Sequence, residues 1–178
     1  MKTLRKKIRW GLAAVLLAAP AFVQATASSV PPTLDQRVHH ALVMLPYYSV
    51  FDNLEFQVSD GSVTLLGQVV EPWTRSDAVN AVKHIPGVES VTDKIEVLPP
   101  FPMDWQIRRA EARAIYRYGV LSRYAMGPVP SIHIIVKNGH VTLDGVVASE
   151  MDRNIAGIRA NGVPNVFSVT NNLVVSKA

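Results

Sequence analysis

The nine residues Gly61-Ser62-Val63-Thr64-Leu65-Leu66-Gly67-Gln68-Val69 return 78 positions later as Gly139-His140-Val141-Thr142-Leu143-Asp144-Gly145-Val146-Val147. The match extends outward without a gap, setting Phe56 to Val97 on Ile134 to Val175, and Pro86 to Thr92 falls on Pro164 to Thr170. One offset held through several successive elements means one small fold occurring twice.

Each quoted stretch is the second arm of a hairpin. Glu55 to Ser59 and Ser62 to Leu65 alternate polar and apolar around Asp60-Gly61, a dipeptide that tolerates the positive φ of a two-residue turn, and Asn138-Gly139 does the same in the second repeat. Gly67 and Gly145 interrupt the second strand at matching points, which predicts a bulge or a helix crossing close to the backbone. A helix follows: Ala78, Val82 and Ile85 keep helical spacing after Pro72, and Ala156, Ala160 and Val163 do so after Ser149, which with Asp152 resembles a capping box. A third strand closes each unit, with Val91, Ile95 and Val97 inward in the first and Val169, Leu173 and Val175 in the second. Ahead of each hairpin the spacing predicts an opening helix, Asp35 to Leu45 in the first repeat and the longer Asp104 to Tyr124 in the second. The fold class is therefore α+β, two tandem two-layer αββαβ domains, each a three-stranded mixed sheet with two helices on one face.

The ends and the charge set the frame. Residues 1–27 have the form of a secretory signal peptide: Lys2, Arg5, Lys6, Lys7 and Arg9, then an apolar run from Gly11 to Val23, then small residues that fit cleavage after Ala25 or Ala27. The run is shorter than the ~20 residues of a spanning helix. The domains read as 33–98 and 103–176, joined by a proline-rich linker at 99–102 that acts as a semi-rigid spacer. Cysteine is absent, which excludes a disulfide framework, a thiolate metal site and a lipid-modified cysteine. The expectation is a soluble, periplasmic protein. The net charge of +4 becomes −1 once the five basic residues of the signal leave. What remains is divided: residues 28–100 carry four Lys and Arg against nine Asp and Glu, whereas residues 101–178 carry nine against five.

The order Gly-x-Val-Thr-Leu-x-Gly-x-Val, a helix with spaced alanines, then Gly87-Val88-Glu89-Ser90-Val91 and a closing strand resembles the BON domain. The resemblance covers both repeats. The second departs with Asn165 in place of the usual glycine and with Gly157 and Gly162 in its second helix, where each interior glycine costs about 1 kcal/mol. The tandem arrangement behind a signal is similar to the osmotically inducible periplasmic protein Y group. The resemblance implies a non-catalytic envelope module, associated with anionic phospholipid, with envelope integrity under stress, and with chaperone-like contacts to other envelope proteins.

The residues themselves offer two candidate surfaces. On the opening helix of the second repeat Arg109, Arg113 and Arg117 are four apart and form a ridge, with Trp105, Arg108 and Tyr116 beside it and Ile107, Ala110, Ala114, Tyr118 and Leu121 opposite. Guanidinium groups that take phosphate oxygens bidentately, next to amphipathic rings, suit an anionic phospholipid surface. The same ridge also fits a plain solvated helix face, or one that docks on the acidic first repeat. Comparison of the repeats gives the other surface: on the sheet face away from the helices Gln57, Gln68 and Glu96 of the first are replaced by Ile135, Val146 and Val174 in the second. An apolar patch on an open sheet calls for a cover, first from within the chain, by the other repeat or the N-terminal arm around Pro31 and Pro32, and then by a partner protein.

Catalysis is not expected. His39, His40, His84, His133 and His140 have no metal-binding spacing, and His133 and His140 read as surface residues flanking a turn. No serine sits in a nucleophile elbow, and Asp52, Asp60 and Asp144 read as solvated carboxylates of turns and strands. No cofactor or metal is expected, and export argues against nucleic acid as a partner.

Overall fold

The computed structural model describes residues 31–127 and 129–176, so residues 1–27, expected to be a signal peptide, lie outside the described residues. The first repeat runs α1 (Leu34–Val43), β1 (Asn53–Ser59), β2 (Ser62–Val69), α2 (Pro72–Lys83), β3 (Ser90–Asp93) and β4 (Glu96–Val97). The second runs α3 (Pro102–Tyr116), a single 3-10 turn at Ser122–Ala125, β5 (Ile132–Lys137), β6 (His140–Val147), α4 (Glu150–Asn161), β7 (Ser168–Asn171) and β8 (Val174–Val175). In each, the central strand pairs antiparallel with the first arm of the hairpin and parallel with the closing strand, giving the mixed three-stranded sheet.

The closing strand is split into β3 and β4, and into β7 and β8, by one device used twice. Lys94 N–H bonds back to Leu65 O while the Asp93 carboxylate accepts from Ile95 N–H, and Asn172 with Asn171 repeats this on Leu143 and Leu173. The turns also match, with Asp60 and Gly61 at φ 46° and 80° and Asn138 and Gly139 at 53° and 78°, the left-handed pair of a type I′ hairpin. At Gly67 and Gly145 the close neighbour is the partner strand, not a helix. A Cβ on Gly67 would lie 2.0 Å from Asn53 O, and one on Gly145 would lie 2.1 Å from Ser131 O.

α1 begins with a complete capping box between Thr33 and Gln36, and α4 with Ser149 accepting from Asp152 N–H. Gly162 is the C-cap of α4 and no interior residue, and Gly157 gives room to the Asn171 side chain, whose amide would stand 2.9 Å from a Cβ there. Each repeat has its own core: Val38 and Leu42 of α1 meet Ala78 and Val82 of α2 over Val63, Leu65 and Val69, and Ile107 and Ile115 of α3 meet Ala156 and Ala160 of α4 over Val141, Leu143 and Val147. The opening helix of the second repeat ends at Tyr116, short of the expected Tyr124. Gly119 follows, and Leu121 and Tyr124 turn in to the core.

The two repeats touch. Phe51 of the first packs on the core of the second, edge-on to Trp105 at 6.0 Å, Ile134 N–H donates to Val50 O at 2.7 Å, and Lys137 Nζ reaches Glu96 at 2.6 Å. His133, expected at the surface, is half-buried in this seam on the Tyr48 ring, with Nδ1 at 2.6 Å from Asp52 O, and burial lowers its pKa. Asp52 is likewise buried, where it accepts from Ser49 and from Val70 N–H.

Candidate functional site

β5 is the outer strand of its sheet, and an edge strand presents backbone groups that must find partners. α3 lies along that edge. Asp104 accepts from Asn138 and Gly139 N–H at 2.9 and 2.8 Å, Arg108 Nη2 donates to Val136 O at 2.6 Å, and Tyr116 Oη donates to Ile132 O. The spacing explains the fit: eight helical residues from Arg108 to Tyr116 rise about 12 Å, and four strand residues from Val136 to Ile132 span about 13.6 Å. Ile134 N–H, between them, is the group taken by Val50 O of the first repeat.

This alignment divides the residues expected to meet an anionic surface. Arg108 is 0% exposed, stacked over Trp105 at 5.2 Å from its ring centre, with Nε and Nη1 unpartnered, and burial lowers its pKa against the opposing pull of Asp104, Asp52 and Glu71. Trp105 is half-buried between Arg108 and Phe51, and Tyr116 is half-buried with its pKa raised by burial. The guanidinium of Arg108 and the hydroxyl of Tyr116 therefore complete the β5 edge. Glu111, on the same stripe, is also 0% exposed, has no hydrogen-bond partner for either oxygen, and has its pKa pushed up to about 8 by desolvation.

Arg109, Arg113 and Arg117 are exposed, and none of them forms an ion pair among the described residues. Arg159 of α4 donates Nε–H to Ala114 O at 3.2 Å and lies over Tyr118, which is exposed rather than turned to the core. At the start of α3, Phe101, Met103 and Phe167 are about half exposed or more and rim an apolar hollow of about 410 Å³ beside Gly139. Sequence reasoning missed these four residues because it followed one helix: Arg159 and Phe167 come from the far side of the repeat, and only the fold brings them to α3.

The expected apolar patch is divided as well. Ile135 is 5% exposed, whereas Val146 and Val174, paired directly across β6 and β8, are 49% and 62% exposed. Among the described residues there is no group of three or more His, Asp or Glu able to hold a metal ion, and no helix is long and apolar enough to cross a membrane.

The profile of the family described as BON domain matches residues 33–99 and 120–177, more than half of the chain. The chain belongs to the BON domain family. No curated protein matches it. Two solved structures of CdsD, a structural protein of the type III secretion system of Chlamydia trachomatis, are similar at 14% identity and a TM-score of 0.32; they cover 79% and 82% of this chain, and the matches take in 96% and 93% of theirs. Likeness at that level carries no argument about this chain. The two BON matches leave α3 between them. The candidate surface is thus built mainly on an element outside the matched BON segments.

Proposed function

We propose that this BON protein acts by binding rather than catalysis, attaching peripherally to anionic phospholipid through the exposed side of α3 and supporting cell-envelope integrity. The observation that carries the reading is the unpaired row Arg109, Arg113 and Arg117, with Phe101 and Met103 exposed at the head of the same helix. Near an anionic bilayer each arginine contributes about 1 kcal/mol, and half-exposed apolar side chains beside them favour the interfacial zone. Attachment of this kind is weak, reversible and salt-sensitive. The signal-like residues 1–27 support export to the periplasm, and the tandem arrangement supports a role similar to that of the osmotically inducible protein Y group. Flotation with vesicles of phosphatidylglycerol and of phosphatidylcholine tests it. Binding is expected only to the anionic vesicles, weakened at least tenfold by Arg113→Glu with Arg117→Glu; equal binding to both lipids, or an unaffected double variant, removes the reading.

A second reading rests on Val146 and Val174, adjacent and exposed on the helix-free sheet face, as a contact for envelope proteins or chaperone clients. It predicts that Val146→Asp with Val174→Asp abolishes suppression of client aggregation while leaving lipid flotation intact.

A further inference from the structure

A hollow between the repeats takes no part in the proposed lipid attachment. It has a volume of about 650 Å³, within the range of small-molecule sites. Both walls are helix-free sheet faces, but they are not equivalent: the first repeat supplies the Asn53 and Gln68 end of its sheet, the second its hairpin end from Lys137 to Thr142. Leu66, Leu98 and Ile135 contribute an apolar patch to the lining, and polar side chains make up most of the rest.

The polar groups are held in place. On one wall Asn53 Nδ2 donates to Glu55 Oε1 at 3.0 Å, and on the other Asn172 Nδ2 donates to Asp144 Oδ1 at 3.0 Å. Each carboxylate is thereby oriented, and its second oxygen has no hydrogen-bond partner among the described residues. The Lys137 to Glu96 ion pair spans the two repeats at this hollow. His140 is anchored through Nδ1 to Ser168 at 2.7 Å.

These features select a chemistry. Two fixed carboxylates repel phosphate and other anions, and Lys137, already paired with Glu96, adds no free charge to draw one. What fits is a neutral molecule that offers donors at both ends and a C–H face between. Paired carboxylate and amide oxygens match the adjacent hydroxyls of a sugar, and the apolar patch matches its ring face. We propose that the cleft between the two BON domains is a binding site for a neutral saccharide of about two rings. Because the walls belong to different repeats, occupancy would also hold the repeats at one separation.

The test is a titration of the isotope-labelled protein with the neutral disaccharide chitobiose, followed by NMR, with spermidine and inorganic phosphate as comparison ligands. Chitobiose at millimolar concentration is expected to shift the amides of Leu66, Gln68, Thr142 and Asp144 and to leave those of Arg109 and Arg113 unmoved. Glu55→Gln with Asp144→Asn should weaken this at least tenfold at an unchanged melting temperature, and Leu66→Trp, which fills the hollow, should abolish it. Absence of shifts with chitobiose overturns the proposal. So does stronger binding of spermidine or phosphate at the cleft, or saccharide binding that survives both variants.

Discussion

α1 and α3 open their repeats in the same topological place, yet they bury different chemistry. α1 has ten residues and turns only Val38 and Leu42 fully inward, and none of its polar side chains is fully buried, although Arg37 is half-buried with its Nε out of water. α3 has fifteen and buries Asp104, Arg108 and Glu111 along with Ile107 and Ile115. The reason lies in the strand beside it. β5 needs partners for its outer edge, and α3 supplies them from side chains; for β1, Leu54 N–H donates at 3.2 Å to the hydroxyl oxygen of Tyr48, in the loop after α1. One helix is therefore a lid on a core, and the other is a lid and a strand substitute.

The largest expected effect should be common to both repeats and would break the comparison if it were not. Gly67→Ala and Gly145→Ala each force a Cβ to within about 2 Å of a carbonyl oxygen, at φ values of 105° and 122° that favour glycine. Each should cost on the order of 5 kcal/mol, close to the whole stability of a small domain. Thermal unfolding should show a loss of cooperative folding in either variant. If one repeat accepts alanine, the two sheets do not share the same constraint.

Next comes an effect confined to the second repeat. Glu111 has its pKa raised from 4.5 to about 8 by desolvation, so the folded state holds its proton more tightly than the unfolded state. Stability from this group is complete below about pH 4.5 and is lost as pH rises to about 8, with an upper bound of roughly 4–5 kcal/mol at about 1.4 kcal/mol per tenfold change in proton affinity. Denaturant unfolding should therefore weaken between about pH 5 and pH 9, and Glu111→Gln should flatten that slope. A wild-type protein equally stable at both ends would mean that Glu111 finds a partner or water when ionised.

Asp104→Ala should cost about 2 kcal/mol, since it leaves the N–H groups of Asn138 and Gly139 without their acceptor. The matching turn at Asp60-Gly61 has no helix carboxylate over it among the described hydrogen bonds, so Asp60→Ala should move the melting temperature far less. Equal losses at the two sites would place the effect in the turn residues themselves.

Most of the fold was legible because it is written in short-range pattern. The repeat offset, the Asp-Gly and Asn-Gly turns and the helical spacing of Ala78, Val82, Ala156 and Ala160 are all local signals, and the elements they predicted are present. The interior of α3 was not legible. By spacing, Arg108 and Glu111 look like any polar residues of a surface helix, and only the position of β5 decides that they are enclosed. The seam was hidden for the same reason: Phe51, Asp52 and His133 lie in stretches with no periodic signal, and their burial follows from how the repeats meet. Gly67 and Gly145 were identified as sites of close approach, but a single sequence does not say whether a helix or a strand comes near.

The smallest expected effect separates two solutions to one problem. In the first repeat Arg75 Nε donates to Asp93 at 2.8 Å, tying α2 to the break between β3 and β4. At the offset positions the second repeat has Arg153 and Asn171, and there Asn171 Nδ2 donates to Arg153 O at 2.8 Å, with Gly157 leaving space for the amide where the first repeat has Val79. Asn171→Asp would remove that donor and set a carboxylate against a backbone carbonyl, but it would also place an acid within reach of the Arg153 guanidinium, whose present partner is Glu150 at 3.4 Å. The lost hydrogen bond is worth about 1 kcal/mol and a partly exposed ion pair returns up to about 1 kcal/mol, so the net change should stay within about 1 kcal/mol. High salt should enlarge it, because screening weakens the new pair and leaves the lost hydrogen bond as it was. A loss of several kcal/mol at low salt would mean that α4 is held to its sheet by the amide alone, and that the arginine and carboxylate of the first repeat have no counterpart that the second can readopt.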